Sequence, residues 1–353
     1  VEANPQAGLD KADVVYEAFV EGGITRFMAV YWRQEAGKII PVRSARTPFV
    51  VWARELGAMY AHAGSASTNN DANATGQIIE WGVKDLNAFA PVSDSAYYRD
   101  PDRQGPHDLG TSTVDLREAG RQLGFSGTPA VQTWLYRSPG DPPVAGAGAE
   151  GIEIDFQGSR APWQLIQWKW DGVSRSYARY QFGGPHVDAV SGQQLHFTSV
   201  VVMETLLQVV DDSGHVLLDQ LGSGKATVFM DGKAIQAVWK KGDRAARTRL
   251  YASDGREIAF ERGSTFIEVV GPGSKLSFTA RAEDLPPLPP YAPPPPASVD
   301  ETPAGDLPTP TPTTPPTRAP AVATATPVQS PTAPPRSATA TSVPPTPAPT
   351  IRD

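Results

Sequence analysis

Most of the chain's 36 prolines lie between Leu285 and Asp353, interleaved with Thr, Ala and Ser in runs such as Thr309-Pro310-Thr311-Pro312 and Pro344-Pro345-Thr346-Pro347. Proline fixes φ and removes a backbone donor, and the small side chains between the prolines offer too little apolar area to offset the entropy of ordering. Residues 285–353 are therefore expected to form a disordered, polyproline-like spacer. Such segments serve as wall-spanning or O-glycosylated stalks of surface proteins, and also as passive linkers. Any hydrophobic core has to come from the residues before it.

The composition narrows the chemistry. With no cysteine among 353 residues, disulfides, thiolate metal sites and a cysteine nucleophile are excluded, and the redox compartment is left open. A net charge of −7, with basic residues only in local clusters, argues against nucleic acid as a partner. No apolar run approaches the roughly 20 residues needed to span a bilayer. The chain opens at Val1 without a basic and apolar leader pattern. Any membrane anchoring is accordingly expected to act through a missing N-terminal leader.

Patterning suggests an α+β protein in four stretches. Residues 1–125 read as an α/β N-terminal domain, 126–162 as a Gly/Pro-rich linker, 163–284 as a β-rich antiparallel C-terminal domain, and 285–353 as the tail. In the first stretch, 13–20 and 24–32 are apolar and β-branched and flank a Glu21-Gly22-Gly23 turn, with a short third strand expected over 38–42. Thr47 and Pro48 mark a helix start and Gly57 its end. A strand follows over 59–63, then a helix over 72–81, and a third helix capped by Ser112 and Asp115 that stops at Gly124. Beyond the linker, 163–170 and 174–182 flank an Asp171-Gly172 turn, and five further strand-like runs extend to Val270.

Several ordered motifs carry a family resemblance. They are Asn4-Pro5-Gln6-Ala7-Gly8-Leu9, Ala12 to Glu17, Glu21 to Arg26, Pro41 to Arg46, Tyr98-Arg99-Asp100 and Pro106-His107-Asp108-Leu109. In the second half they continue with Gly222 to Lys225, Asp231-Gly232-Lys233, Val238 to Lys241 and Asp254 to Glu257. Together they resemble the YerB-like lipoprotein family over almost all of residues 1–280. The resemblance implies a two-domain extracytoplasmic bacterial lipoprotein of a family with no assigned biochemical activity. The lipobox cysteine and most of the strand before Pro5 are missing from this sequence.

Arg43-Ser44-Ala45-Arg46 immediately before a helix N-terminus would favour a bound anion through guanidinium forks and free N–H groups. The same arginines could instead pair with Glu17 or Glu21 and pin strand to helix. His62 is either a site residue or a hydrogen-bonded core histidine, and Arg99 and His107 belong either to a binding loop or to a solvated one. Other motifs read as structural. Gly222-Ser223-Gly224-Lys225 lacks the first glycine and the metal-binding hydroxyl of a phosphate loop and is expected to be a turn. His186 and His196 are expected to be solvated loop residues, and most tryptophans core. No metal-ligating spacing or cofactor fingerprint is present. The expected function is extracytoplasmic binding of an anionic small molecule or cell-wall component, held by Arg43, Ser44, Arg46, His62, Arg99 and His107 with Glu17 and Glu21 nearby. The alternatives are a hydrolase of wall polymer or phosphoester and a protein-docking scaffold.

Overall fold

Six consecutive buried residues, Thr265–Val270, need cover on both faces and both edges of their strand. In the computed structural model of the chain, which describes residues 3–125 and 131–291, this strand has a parallel neighbour on each side. One is Val14–Phe19, from near the start of the chain, and the other is Ser199–Glu204. The sheet continues antiparallel from the latter through Gly222–Met230, Lys233–Lys241 and Arg249–Ala252. In the other direction it ends with Thr25–Val30, antiparallel to Val14–Phe19.

Because side chains alternate across a strand, the two faces of this sheet bury different sets. Val15, Phe19, Val200, Val202, Phe266 and Val270 pack against a second sheet, from which Ile152, Ile154, Ile166, Trp168 and Tyr177 project. That sheet is an antiparallel meander of Gly151–Asp155, Leu165–Asp171 and Ser176–Gln181, closed by Lys275–Thr279. On the opposite face Tyr16, Val201, Met203, Ile267 and Val269 meet Phe49, Val50, Trp52 and Leu56 of helix α1 (Thr47–Leu56). The result is a layer of helix, a mixed sheet and an antiparallel sheet, with a core on each side of the mixed sheet.

The local signals for the helices hold. Pro48 lies in the first turn of α1, and Gly57, at φ 57°, takes the left-handed cap and donates to Ala53 O and Arg54 O. Asn73 caps α2 (Ala74–Glu80), and Ser112 Oγ accepts the Asp115 N–H at the start of α3 (Thr113–Gln122). Residue 47 is already helical, so the cap position falls on Arg46.

Other expectations need correction. Residues 38–42 form no strand; Ile39 and Ile40 make single bridges to Thr111 and Ala7. Gly222 to Lys225 is not a turn but the first part of a nine-residue strand paired with Lys241 to Val238. Glycine is needed at 224 because a Cβ there would lie 2.5 Å from Trp239 Nε1. The stretch 126–162 is not a free linker where it is described. Trp134 is buried against Phe260, and Gly151–Asp155 is an inner strand of the second sheet. The described start of the expected tail, 285–291, lies on the body: Gln167 Nε2 donates to Pro286 O at 2.7 Å, and Tyr291 packs on Phe182 at 5.0 Å between ring centroids. The rest of the tail lies outside the described residues.

Charge is also buried in the helix-side core. Glu55 of α1 accepts from Lys241 Nζ at 2.6 Å, Arg247 Nη1 at 2.5 Å and Thr248 Oγ1 at 2.7 Å, and Arg247 also reaches Tyr16 Oη at 3.1 Å. Burial pushes the Tyr16 hydroxyl up to about 12, so it remains a neutral partner. One carboxylate from the first half of the chain thereby satisfies two cations from the second. Replacing Glu55 by Ala would leave both cations buried without a counter-charge and is expected to cost about 3–5 kcal/mol in chemical denaturation. A loss below about 1 kcal/mol would show that the cations escape to solvent.

The contacts of 285–291 generate a second expectation. A chain ending at Asp284 should melt several degrees below one ending at Tyr291, since about 1–2 kcal/mol of bonding and ring contact is lost at roughly 2–4 °C per kcal/mol. Equal melting temperatures would show that these residues add nothing to the body.

Candidate functional site

Thr25–Val30 is an edge strand, bonded on one side only among the described residues. Its alternation is set where Val20 N–H donates to Ile24 O at 2.9 Å. Residues 24, 26, 28 and 30 thus exchange bonds with the neighbouring strand, and the N–H and C=O groups of Thr25, Phe27 and Ala29 point to the open edge. Facing that edge is the extended segment 39–44. It is held away from it by bonds to Thr111, Ala7, Leu109 and the Arg43 O to Ala63 N pair. Between the two lies a cleft of about 320 Å3. Its walls are mainly apolar: Met28 and Phe49 on the helix side, Trp163 and Phe182 on the side of the second sheet. Gln164 and Tyr31 also line it, and the buried Gln164 Oε1 and Tyr31 Oη have no hydrogen-bond partner among the described residues.

One end of the cleft is cationic. Arg26, Arg43 and Ser44 line it, and Arg26 Nη1 donates to Ser44 O at 2.9 Å. Arg26 is paired with Glu21, which Arg46 also grips through two bonds of 2.6 and 2.7 Å. Arg43 donates to the neutral Pro106 O at 2.6 Å and has no carboxylate partner among the described residues. Arg26 and Arg46 therefore share one carboxylate, and Arg43 adds a third guanidinium with none among the described residues. Burial and the charges of Arg46 and Arg43 pull the Arg26 guanidinium down to about 10, even with Glu21 beside it. Burial pushes the Glu21 carboxyl up, but the Arg46 hydrogen bond and the Arg26 charge outweigh it and hold it below its ordinary value.

Behind the cleft wall is a second buried network. Thr25 Oγ1, on the wall, donates to Glu17 Oε1 at 2.6 Å, and Arg179 Nη2 donates to Glu17 Oε2 at 2.5 Å. Arg179 Nη1 donates to Gln181 Oε1 at 2.7 Å and to His186 Nδ1 at 2.5 Å, while His186 Nε2 faces Gln6 Oε1 at 2.9 Å. Burial and then the Arg179 charge hold His186 well below its ordinary value, so it is neutral and carries its proton on Nε2. Glu268 sits in register beside Glu17 on the parallel strand, fully buried, with Oε1 accepting from Trp168 Nε1 at 2.9 Å. Two carboxylates and one guanidinium meet here out of water. Burial, and next the Glu17 charge, raise Glu268 well above the ordinary carboxylate range. It keeps its proton, which satisfies the otherwise orphaned Glu268 Oε2 by donation toward Glu17.

The candidate residues separate into groups. Arg43 and Ser44 are on the cleft wall, and Arg46 and Glu21 form the adjoining ion pair, the pinning arrangement that the sequence left open. Glu17 is fully buried and belongs to the network behind the wall. His62 is buried, with Nδ1 2.7 Å from Gly64 O and Nε2 2.8 Å from Asp85 Oδ1, so both ring nitrogens already face acceptors. Arg99 is exposed and paired with Asp108 in the hairpin of Tyr97–Arg99 and Leu109–Thr111; His107 lies in its connecting loop, next to the Pro106 carbonyl that Arg43 binds. His186 is not a solvated loop histidine but a buried partner of Arg179, whereas His196 is exposed as expected. Trp168 and Trp239 are core, and Trp163 is half exposed on the cleft. Arg26, Arg179 and Glu268 were not singled out. Their signal was a charge in the middle of an apolar strand, as in Tyr177-Ala178-Arg179 and Phe266-Ile267-Glu268-Val269.

The buried proton has a measurable consequence. Between the ordinary carboxylate value of 4.5 and the raised value of Glu268, the native chain binds more protons than the unfolded one, so this group's contribution to stability falls as pH rises through that window. Glu268→Gln keeps a donor toward Glu17 and removes the titration. Its stability should gain on the parent by about 1.4 kcal/mol per pH unit across the window and run parallel above it. Denaturation curves parallel at every pH would mean that Glu268 is ionised in the native state.

Residues 1–126 match the family described as "Protein of unknown function (DUF3048) N-terminal domain", and residues 152–267 match its C-terminal domain. A Bacillus subtilis (strain 168) protein named "Putative lipoprotein YerB" is 26% identical over 270 residues, covering 76% of this chain and 78% of that one. The crystal structure of the YerB protein from Bacillus subtilis superposes with a TM-score of 0.67 at 25% identity, covering 78% of this chain and 90% of that one.

Proposed function

The chain belongs to the DUF3048 family and is YerB-like, and on that premise we propose that it is an extracytoplasmic binding protein whose cleft takes an elongated, mainly apolar ligand with an anionic end. The observation that carries this reading is the excess of guanidinium at one end of an apolar cleft: Arg26 and Arg43 line it, Arg46 adjoins it, and among the described residues the one carboxylate paired with any of the three is Glu21. An anion placed there would offset a charge that the protein leaves uncompensated, in a setting partly removed from water where such bonds are strongest. The apolar walls supply the remaining affinity. The lipoprotein name of the Bacillus relative supports membrane attachment outside the cytoplasm, and the Pro/Thr-rich composition of the tail suits a surface spacer. The hydrolase reading has less support, because His62 faces acceptors through both nitrogens and so is not placed to take a proton from a nucleophile.

Titration calorimetry with decanoate and decanol tests the reading. Decanoate should bind at least tenfold more tightly, and Arg43→Gln should remove about 1.5–3 kcal/mol of its binding while leaving the melting temperature within a few degrees. Arg46→Gln should instead lower stability, because it strips Glu21 of two bonds. If decanoate and decanol bind alike, or neither binds, the anion-ended cleft is wrong.

A further inference from the structure

The cleft has a property that a site for a generic apolar anion would not need: one of its walls is an unpaired strand edge. The N–H and C=O groups of Thr25, Phe27 and Ala29 point toward it, at the spacing of a β-ladder. Such an edge is a template for another strand unless it is covered or charged. Apart from Arg26, the residues of this one are uncharged, Thr25, Phe27, Met28, Ala29 and Val30, and no described residue pairs with it. The apolar surfaces also lie where an added strand would place its side chains. Successive side chains of a strand point to opposite sides, and the cleft offers Met28 and Phe49 on one side and Trp163 and Phe182 on the other.

We propose that the occupant is an extended peptide ending in a free C-terminal carboxylate, which adds as an antiparallel strand to the edge of Thr25–Val30. This deepens the preceding reading and rests on it. Direction follows from where the charge lies. Arg26 is the second residue of the strand, so the cationic end of the cleft is at the strand's N-terminal end. An antiparallel partner finishes there and delivers its C-terminal carboxylate to Arg26 and Arg43; a parallel partner would bring its ammonium group to the same guanidiniums and be repelled. The edge spans six residues, so roughly five residues of peptide fill it at about 3.3 Å each. Affinity would come from main-chain bonds and the carboxylate, and selectivity from alternate apolar side chains.

The test uses a pool of N-acetylated apolar pentapeptides with free C-termini, from which the tightest binders to the intact chain are taken for titration. Four comparisons follow on those peptides. A C-terminal amide should weaken binding at least tenfold. N-methylation at one alternating set of positions should abolish binding, and at the other set should leave it within about threefold, the signature of strand pairing. Ala29→Pro removes an outward N–H from an edge strand, a position where proline is tolerated; it should cost at least tenfold in peptide affinity with little change in melting. Decanoate should compete with the peptide.

Equal binding by both N-methylated sets, or of amide and acid, overturns the proposal even if Ala29→Pro fails to fold. If no pentapeptide in the pool binds while decanoate still does, strand addition is wrong and the anion-ended cleft stands; if neither binds, both fall. A concentration-dependent dimer in sedimentation that Ala29→Pro dissolves would seat a second copy at the edge in place of a peptide, and would also overturn the proposal.

Discussion

The pairing of Val14–Phe19 with Thr265–Val270 is the contact on which the other features depend. It joins the beginning of the chain to a strand about 250 residues later in sequence and makes one sheet out of both halves. Five register pairs bring Glu17 and Glu268 side by side. Two carboxylates cannot both remain ionised at that spacing in a dry core with one guanidinium, so the pairing also requires Arg179 from the facing sheet and a retained proton. The cost of leaving any of these groups unpaired makes other registers unfavourable, because a one-residue slip would move Glu17 to the face covered by α1.

A similar arrangement recurs on that other face. Glu55, on a helix of the N-terminal family segment, is the shared partner of Lys241 and Arg247 from the C-terminal one. Buried ion pairs of this kind add little net stability compared with apolar packing, but they penalise separation severely. With one such network on each side of the mixed sheet, the two segments behave as halves of one core. Trp134 extends this, since its ring lies under the Arg247 guanidinium at 3.9 Å and against Phe260.

The cleft is a by-product of how this sheet ends. Thr25–Val30 has one partner among the described residues because the chain leaves it at Tyr31 for a segment that bonds to 7, 109 and 111 and does not return to the edge. The Glu17 network stiffens the wall from behind through Thr25 and Gln181, and Glu21 holds Arg26 and Arg46 at one end. Thr25 and Arg26 on the cleft wall are thus held by Glu17 and Glu21, which do not themselves line the cleft.

The chain's local chemistry could be read directly. Pro48 and Gly57 bracket α1, Ser112 and Asp115 start α3, and alternating or continuous apolar runs mark the strands, because caps and side-chain periodicity depend on neighbours within a few residues. Arg43 and Ser44 were legible as site candidates for the same reason: they lie beside a helix start. Tertiary structure decided the rest. Whether Arg46 is free or held by Glu21, whether His186 is solvated or buried, and whether Gly222 to Lys225 turns or pairs all depend on which distant strand lies alongside. The open edge of Thr25–Val30 could not be seen in its residues at all, since a missing neighbour is a property of the sheet order and not of the strand.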